Sequence, residues 1–142
     1  MKYFKLIGPE VLSTTDIDGK SLLHIACENN QPRIVAYLLQ YGVDPNREEE
    51  YGNTALIMTS ADGHEELVEL LLQAKAQVDK KSLFNHTALM LSSLQGHEGV
   101  VKKLIAAGAS VNVRGKKGYT ALHYAAEYAQ AGVIWCCTVS VG

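Results

Sequence analysis

The chain has 142 residues, of which 47% are hydrophobic and 20% are charged, with a formal net charge of −2. This length suits one domain, the apolar fraction argues against wholesale disorder, and the charge excludes a uniformly basic nucleic-acid-binding protein. No apolar run approaches about 18 residues, so we expect no membrane span. Pro9 and Glu10 interrupt the apolar start of the chain, so we expect no secretory signal. Three cysteines suit a reducing compartment and predict a cytoplasmic and/or nuclear protein.

From residue 19 onward the chain repeats itself every 33 residues without an insertion. The columns that keep this step are Ser21, Thr54, Thr87 and Thr120; Leu23, Leu56, Leu89 and Leu122; Gly19, Gly52, Asn85 and Gly118; and Val35, Val68, Val101 and Ile134. A fixed period of this size is typical of a repeat architecture.

One unit shows which residues start and end the helices of each repeat. Gly52 and Asn53 form a turn signal, and Thr54 is a good N-cap for a short helix that Gly63 ends in the left-handed conformation. The following segment, residues 65–72, has a wide apolar stripe and acidic residues in its first turn, which predicts a longer second helix. Because such a unit buries its apolar faces only against its neighbours, the repeats predict a stacked solenoid.

Three short motifs then carry a family resemblance. Residues 118–126, Gly-Tyr-Thr-Ala-Leu-His-Tyr-Ala-Ala, resemble the ankyrin-repeat signature Thr-Pro-Leu-His-x-Ala. Residues 108–112 and 42–46 are similar to the end of an ankyrin unit, and Gly63-His64 and Gly96-His97 fit its helix–helix junction. The resemblance covers about residues 16–131. It implies an all-α solenoid of helix-turn-helix repeats joined by β-hairpin-like loops.

The period divides the chain into five parts. We predict a partial N-terminal repeat at 1–16, ankyrin repeats at 17–49, 50–82 and 83–115, and a partial, atypical repeat at 116–142. Met1 to Ile7 align only with a second helix. The tail after Gly132 carries no charge and reads as a β-prone segment with a risk of self-association. It suggests a truncated or alternatively terminated product of a longer array, or alternatively a poorly ordered natural terminus.

Two departures from the family pattern concern single positions. The signature histidine is present at His24 and His123 but is replaced by Ile57 and Met90, so the Thr–His link should be weaker in the middle units. Lys75 stands where Gly42 and Gly108 end their helices. That turn is therefore either strained or differently shaped.

The titratable residues give no catalytic or metal constellation. The histidines fall in repeat columns or, for His86, at a loop tip, and Cys136-Cys137 is not a C-x-x-C pair. Cys27 replaces a small buried residue and is expected in the core. Gly115 to Gly118 is a Gly-Lys-Lys-Gly turn and not a phosphate-binding loop. We expect no enzyme, no metal and no cofactor.

The positions that vary between repeats indicate a binding surface instead. The resemblance places partner contacts on the concave helix face and the loop tips, at Tyr51, Asn53, Asp62, Leu83, Phe84, His86, Leu94, Gln95, Lys116, Lys117, Tyr119 and Tyr128. Large apolar side chains recur among them where the core does not need them, which is typical of an exposed interface. The alternative is that Leu83 and Phe84 fold back under their own loop.

The charges divide along the chain. Residues 1–73 hold 12 acidic and 5 basic side chains, whereas residues 74–142 hold 3 and 8. These charges form either a solvated rim or a gradient that steers a complementary partner. Five bases over two loops, without interleaved aromatic residues, argue against nucleic-acid binding.

Two asparagines are candidates for modification. Asn46 and Asn112 occupy the loop column that asparaginyl hydroxylases modify in other ankyrin proteins, which the resemblance alone implies.

Together these features predict a monomeric protein–protein interaction module, acting as an adaptor, scaffold or regulatory subunit. The alternative function is a fragment of a longer ankyrin-repeat polypeptide with no independent binding activity.

Overall fold

The computed structural model describes residues 9–139. Within that range the chain is helical, without a β-strand, and one isolated antiparallel bridge joins Thr15 to Ser21. The α-helices, in chain order, are α1 (Pro9–Leu12), α2 (Leu22–Glu28), α3 (Pro32–Gln40), α4 (Ala55–Asp62), α5 (Glu65–Gln73), α6 (Ala88–Gln95), α7 (Glu98–Ala106), α8 (Ala121–Glu127) and α9 (Ala131–Val139). A 3₁₀ turn spans Lys116–Gly118.

The helices stack in two layers. The first helices of the pairs, α2, α4, α6 and α8, pack side by side, and the second helices, α3, α5, α7 and α9, form the other layer. Each pair therefore touches the pair before and after it, and the predicted all-α solenoid is confirmed. The helix pairs fall inside the predicted units, while the residue at which one unit passes into the next stays a prediction.

The core consists of the repeat columns themselves. Leu23, Leu56 and Leu89 of the first helices are each about 1% exposed, and the second helices contribute side chains that are equally buried. These are Val35, Leu38, Val68, Leu71, Val101, Leu104, Val133 and Cys137. Since each residue packs against its equivalents in adjacent units, a 33-residue spacing in sequence becomes a continuous row in space.

Each first helix begins at a hydroxyl cap. Thr54 Oγ1 accepts a hydrogen bond from Ile57 N at 3.3 Å, and Thr87 Oγ1 accepts one from Met90 N at 3.2 Å. In the first unit the cap is reinforced, because Ser21 N also donates to His24 Nδ1 at 3.1 Å. As expected, the two middle units have only the simpler cap.

Glycine at the first helix's end lets the next unit approach. Gly63 has φ 78°, and a Cβ built on it would lie 2.6 Å from Nδ1 of His97. The ring of His97 lies here because its Nε2 is 3.0 Å from the carbonyl oxygen of Ala61. The junction histidine thus ties the third unit to the second.

Lys75 adopts the left-handed turn that glycine adopts elsewhere. Its φ is 68°, against 84° for Gly42 and 94° for Gly108. Of the two alternatives for this turn, the structure has the strained one. A lysine in this conformation is less stable than glycine by about 1 kcal/mol.

The prediction of a β-prone tail is wrong for the residues that the structure describes. Ala131–Val139 form α9, with Val133 and Cys137 buried in the columns of Val100 and Leu104. Packing against α7 and α8 decides the conformation, because tertiary contacts outweigh local β propensity. The prediction for Met1 to Ile7, and that for the last three residues of the tail, lie outside the described residues.

Candidate protein-binding surface

Four hairpin-like loops, residues 14–20, 47–53, 80–86 and 113–119, precede the first helices. In the second loop Glu49 is only 8% exposed, and its Oε1 accepts hydrogen bonds from Tyr51 N at 2.9 Å and Asn53 N at 2.8 Å. The equivalent residues in the loops before and after it make the same bonds. Asp16 Oδ1 accepts from the N–H groups of Asp18 and Lys20. Ser82 Oγ accepts from those of Phe84 and His86. These bonds hold the loop tips in a fixed shape.

The fourth loop lacks this acceptor, because the equivalent position is Gly115. Its N–H donates to the carbonyl of Tyr119 at 2.7 Å, as the equivalent N–H groups do in the other three loops, and the 3₁₀ turn places Lys117 at φ 60°. A Cβ on Gly115 would lie 2.8 Å from the carbonyl oxygen of Asn85. The close approach of the third loop therefore requires glycine at this position.

Backbone hydrogen bonds join successive loop tips. Glu50 N donates to the carbonyl of Asp18, and Leu83 N donates to that of Tyr51, both at 3.0 Å. Between the third and fourth loops the connection is made by a side chain, since Lys81 Nζ donates to the carbonyl of Arg114 at 2.8 Å. The loops form one continuous edge beside the first helices.

A row of rings crosses this edge, and we call it the aromatic row: Tyr51, Phe84, His86, Tyr124, Tyr119 and His123. Tyr51 stacks on Phe84 with ring centroids 6.1 Å apart, and Phe84 lies 6.5 Å from His86. His86 meets Tyr124 edge-on at 6.0 Å. Tyr119 lies 5.4 Å from Tyr124 and 5.3 Å from His123. The row runs from the second loop tip to the start of α8.

Much of this surface is open to solvent. Tyr51 and Phe84 are 50% and 52% exposed, Leu83 is 73% exposed, and Tyr128 is 53% exposed. Leu83 and Phe84 therefore do not fold back under their loop. Their side chains are available to a partner, although Phe84 also stacks on Tyr51.

A shallow depression adjoins the row on the first-helix face. It is lined by Glu28, Asn53, Ile57, Met58, Ala61, Asp62 and Leu91. The predicted residues Asn53 and Asp62 meet here. Leu94 is half-buried, with its carbonyl accepting from Gln130 Nε2 at 3.2 Å, and Gln95 is exposed at the end of α6. Four of the predicted residues thus belong to the row and two line the depression. The other six, Leu83, Leu94, Gln95, Lys116, Lys117 and Tyr128, belong to neither group, and their role in binding stays a prediction.

Most of the basic side chains in the last two loops already have partners. Lys80 Nζ lies 3.2 Å from Glu48 Oε1, Lys81 is engaged with Arg114 as described, and Arg114 donates to the carbonyl of Gly118 at 3.4 Å. Lys116 and Lys117 are exposed, and neither forms an ion pair within residues 9–139. Of the basic side chains in these two loops, Lys116 and Lys117 are therefore the ones available to a partner.

Tyr124 and His123 are two members of the row that the sequence analysis did not assign to the surface. The sequence did contain a signal for Tyr124. Its repeat column holds Ile25, Met58 and Leu91 in the earlier units, so the fourth unit has an aromatic residue where the others have aliphatic ones or Met. Burial, and to a smaller extent the nearby charge of Lys116, lower the pKa of His86 in this row.

The candidate modification sites differ in their contacts. Asn46 Oδ1 accepts a hydrogen bond from Gln77 N of the next unit at 2.7 Å, as Asp79 Oδ1 does from Ser110 N at 3.0 Å. Asn112, in the same column, is exposed and its N–H donates to Ser110 Oγ at 3.4 Å. Of the two asparagines, only Asn46 has a side chain that bonds to the following unit within residues 9–139.

The thiols are buried. Burial raises the pKa of the Cys27 thiol to about 12, and burial followed by the effect of Cys136 raises that of Cys137. Residues 9–139 contain no group of three or more His, Cys, Asp or Glu side chains placed to hold a metal ion. In the same range, no helix is both long and apolar enough to cross a membrane.

The family follows from the repeats and their stacking. A family model described as ankyrin repeats (3 copies) matches residues 2–82 and 57–138, and the chain belongs to the ankyrin-repeat family. Ankyrin repeats are generally protein–protein interaction modules, and the family is typically non-catalytic.

Two curated relatives share part of the sequence. The chain is 38% identical over 64 residues to the nuclear factor NF-kappa-B p110 subunit of Drosophila melanogaster, an alignment covering 45% of this chain and 6% of that protein. It is 40% identical over 48 residues to the ADP-ribosylation factor GTPase-activating protein AGD2 of Arabidopsis thaliana, covering 34% of this chain and 6% of that protein. The matched segment is thus a small part of each relative's length.

Proposed function

We propose that this chain is an adaptor, scaffold or regulatory subunit that binds a partner protein through the aromatic row, the loop tips and the adjoining depression, without catalytic activity of its own. The observation that carries the proposal is the aromatic row. The loop acceptors fix the backbone at Tyr51, Phe84 and His86, and each ring contacts the next, yet Tyr51 and Phe84 remain half exposed. Rigid, partly exposed aromatic side chains make good interface anchors because little conformational entropy is lost when they are covered.

The partner's identity does not follow from the fold. The two curated relatives are named as a nuclear factor subunit and a GTPase-activating protein, so similar segments occur in proteins with unlike names and roles. We propose residence in the cytoplasm and/or nucleus as a monomer. The buried thiols of Cys27 and Cys137, which form no disulfide in the described part of the chain, support a reducing compartment.

The test is a pull-down from cell lysate with mass spectrometry. Wild type is compared with the triple variant Tyr51→Ala, Phe84→Ala, Tyr128→Ala, which removes half-exposed rings and should leave the far-UV circular dichroism unchanged. The matched control is Trp135→Ala with Val139→Ala, because these α9 side chains are 70% and 56% exposed but lie outside the surface.

We expect a protein that wild type and the α9 control retain and the triple variant loses. Equal retention by the triple variant would contradict the proposed surface. If wild type retains no specific protein, the proposed function fails and the alternative of a fragment without independent binding activity is favoured.

A further inference from the structure

Charge is distributed unevenly around the aromatic row. At the Tyr51 end lie Glu48 and Glu50 of the second loop, and Asp62 lies in the depression beside it. At the α8 end lie Lys116 and Lys117. Glu127 also lies near this end, and its carboxylate adds to the larger effect of burial in raising the pKa of Tyr124. A segment that follows the row therefore passes from an acidic surface, across aromatic rings, to one where the two lysines outnumber this carboxylate.

The acidic end repels negative charge even though one carboxylate is paired. Glu48 is held by Lys80 at 3.2 Å, but Glu50 and Asp62 are exposed and form no ion pair within the described residues. At the other end the two lysines have no carboxylate partner in that range. Exposed charges of this kind contribute chiefly to orientation and to the rate of association.

We propose that the aromatic row and its two lysines bind a linear peptide segment of a partner protein, in which apolar or aromatic side chains are followed by acidic ones. The apolar side chains pack on Tyr51, Phe84 and Tyr124, and the acidic ones pair with Lys116 and Lys117. Glu50 and Asp62 disfavour the reversed orientation. This inference names the class of partner and rests on the proposed function.

Aromatic rings beside lysines are also a feature of single-stranded nucleic-acid-binding surfaces. Here the observations favour a peptide. The phosphate backbone of a nucleic acid is charged along its whole length, so it would have to pass Glu50 and Asp62 at one end of the row. Two available lysines neutralise few phosphates, whereas they match a short acidic cluster.

The experiment selects short random peptides displayed on phage against the full chain, followed by fluorescence anisotropy with one enriched, labelled peptide. The test variant is Lys116→Glu with Lys117→Glu. The matched control is Lys75→Glu with Lys102→Glu, which makes the same change in charge at exposed lysines of the second-helix layer. Neither lysine forms an ion pair within the described residues, and Lys75, like Lys117, has a positive φ. A labelled single-stranded oligouridylate is titrated in parallel.

We expect enriched peptides with Asp or Glu on one side of apolar or aromatic residues. Their affinity should fall about tenfold in the test variant and less than about twofold in the control. Enriched peptides without acidic residues, or an affinity that the test variant leaves unchanged, would overturn the inference. Tighter binding of the oligouridylate than of the peptide would also overturn it.

These outcomes separate the inference from the proposed function. One outcome is a peptide that binds wild type and the charge-reversal variant equally well but fails to bind the triple alanine variant. That result would support the proposed function and overturn only the inference. If no peptide is enriched, this inference is overturned, and the lysate experiment decides the proposed function independently.

Discussion

His24 Nε2 lies 3.1 Å from the carbonyl oxygen of Asn53, so the signature histidine of the first unit contacts the loop of the second. Its Nδ1 accepts from Ser21 N, so the neutral ring carries its proton on Nε2 and donates it to Asn53. The residue is 1% exposed. One side chain therefore fixes a helix start, a loop and the contact between two units.

The two signature histidines form a matched pair for a stability test. We expect His24→Ala to lower the free energy of unfolding by about 1–3 kcal/mol, because buried polar groups lose their partners. His123→Ala should cost less than about 0.5 kcal/mol, because this side chain is exposed. Urea unfolding followed by circular dichroism measures both. Equal costs would contradict the cross-unit role of His24.

Stability should also depend on pH through His24. Burial lowers its pKa, and the opposing effects of the Asn53 carbonyl and Glu49 are smaller. Below the unfolded-state pKa of about 6.5, the unfolded chain takes up a proton that the folded chain resists, so stability falls as pH decreases. The contribution of the neutral ring is complete above that pH.

We therefore expect the free energy of unfolding of wild type to decrease from pH 7 to pH 5 more steeply than that of His24→Gln. The difference is at most about 1.4 kcal/mol per pH unit for one proton. His86 has a pKa shifted in the same direction, but it is present in both proteins and cancels in the comparison. Parallel pH profiles would disprove the assignment to His24.

Replacing Lys75 should stabilise the protein. Lys75→Gly removes the cost of a side chain in the left-handed conformation and should raise the free energy of unfolding by about 0.5–1 kcal/mol. The reverse change, Gly42→Lys, is the matched control, since a Cβ there has nothing within 4 Å and adds only the backbone cost. It should lower the stability by a similar amount. Changes of the same sign in the two variants would be inconsistent with this reasoning.

If an asparaginyl hydroxylase acts on this chain, we expect it to modify Asn112 in preference to Asn46. Reaction at Asn46 requires the loss of its 2.7 Å hydrogen bond to Gln77, whereas Asn112 is exposed and has no equivalent bond to a following unit among residues 9–139. Tandem mass spectrometry after incubation with the enzyme locates the added oxygen. Gln77→Pro, which removes the N–H donor, should increase modification at Asn46. Preferential modification of Asn46 in wild type would contradict the argument.

The repeat itself could be read directly from the residues. The columns of Leu56, Val68 and Leu71 identify buried faces, and Thr54 and Gly63 mark where a helix starts and stops, because capping and left-handed turns depend on local chemistry. The stacked architecture follows, since each unit can bury its apolar face only against the next. The exposure of Tyr51 and Phe84 could also be predicted, because neither residue belongs to a repeat column of the core.

Other features required the tertiary structure. Tyr124 joins the row only because α8 places it against a ring from a different unit, His86, 38 positions earlier in the sequence. The pairing of Lys80 with Glu48 and of Lys81 with Arg114 leaves Lys116 and Lys117 available, which no count of basic residues reveals. The tail became a helix because its buried side chains pack against two earlier helices. The ring contact, the two side-chain pairings and the packing of α9 on α7 each join residues about one period apart. Their energies depend on how neighbouring units approach in space.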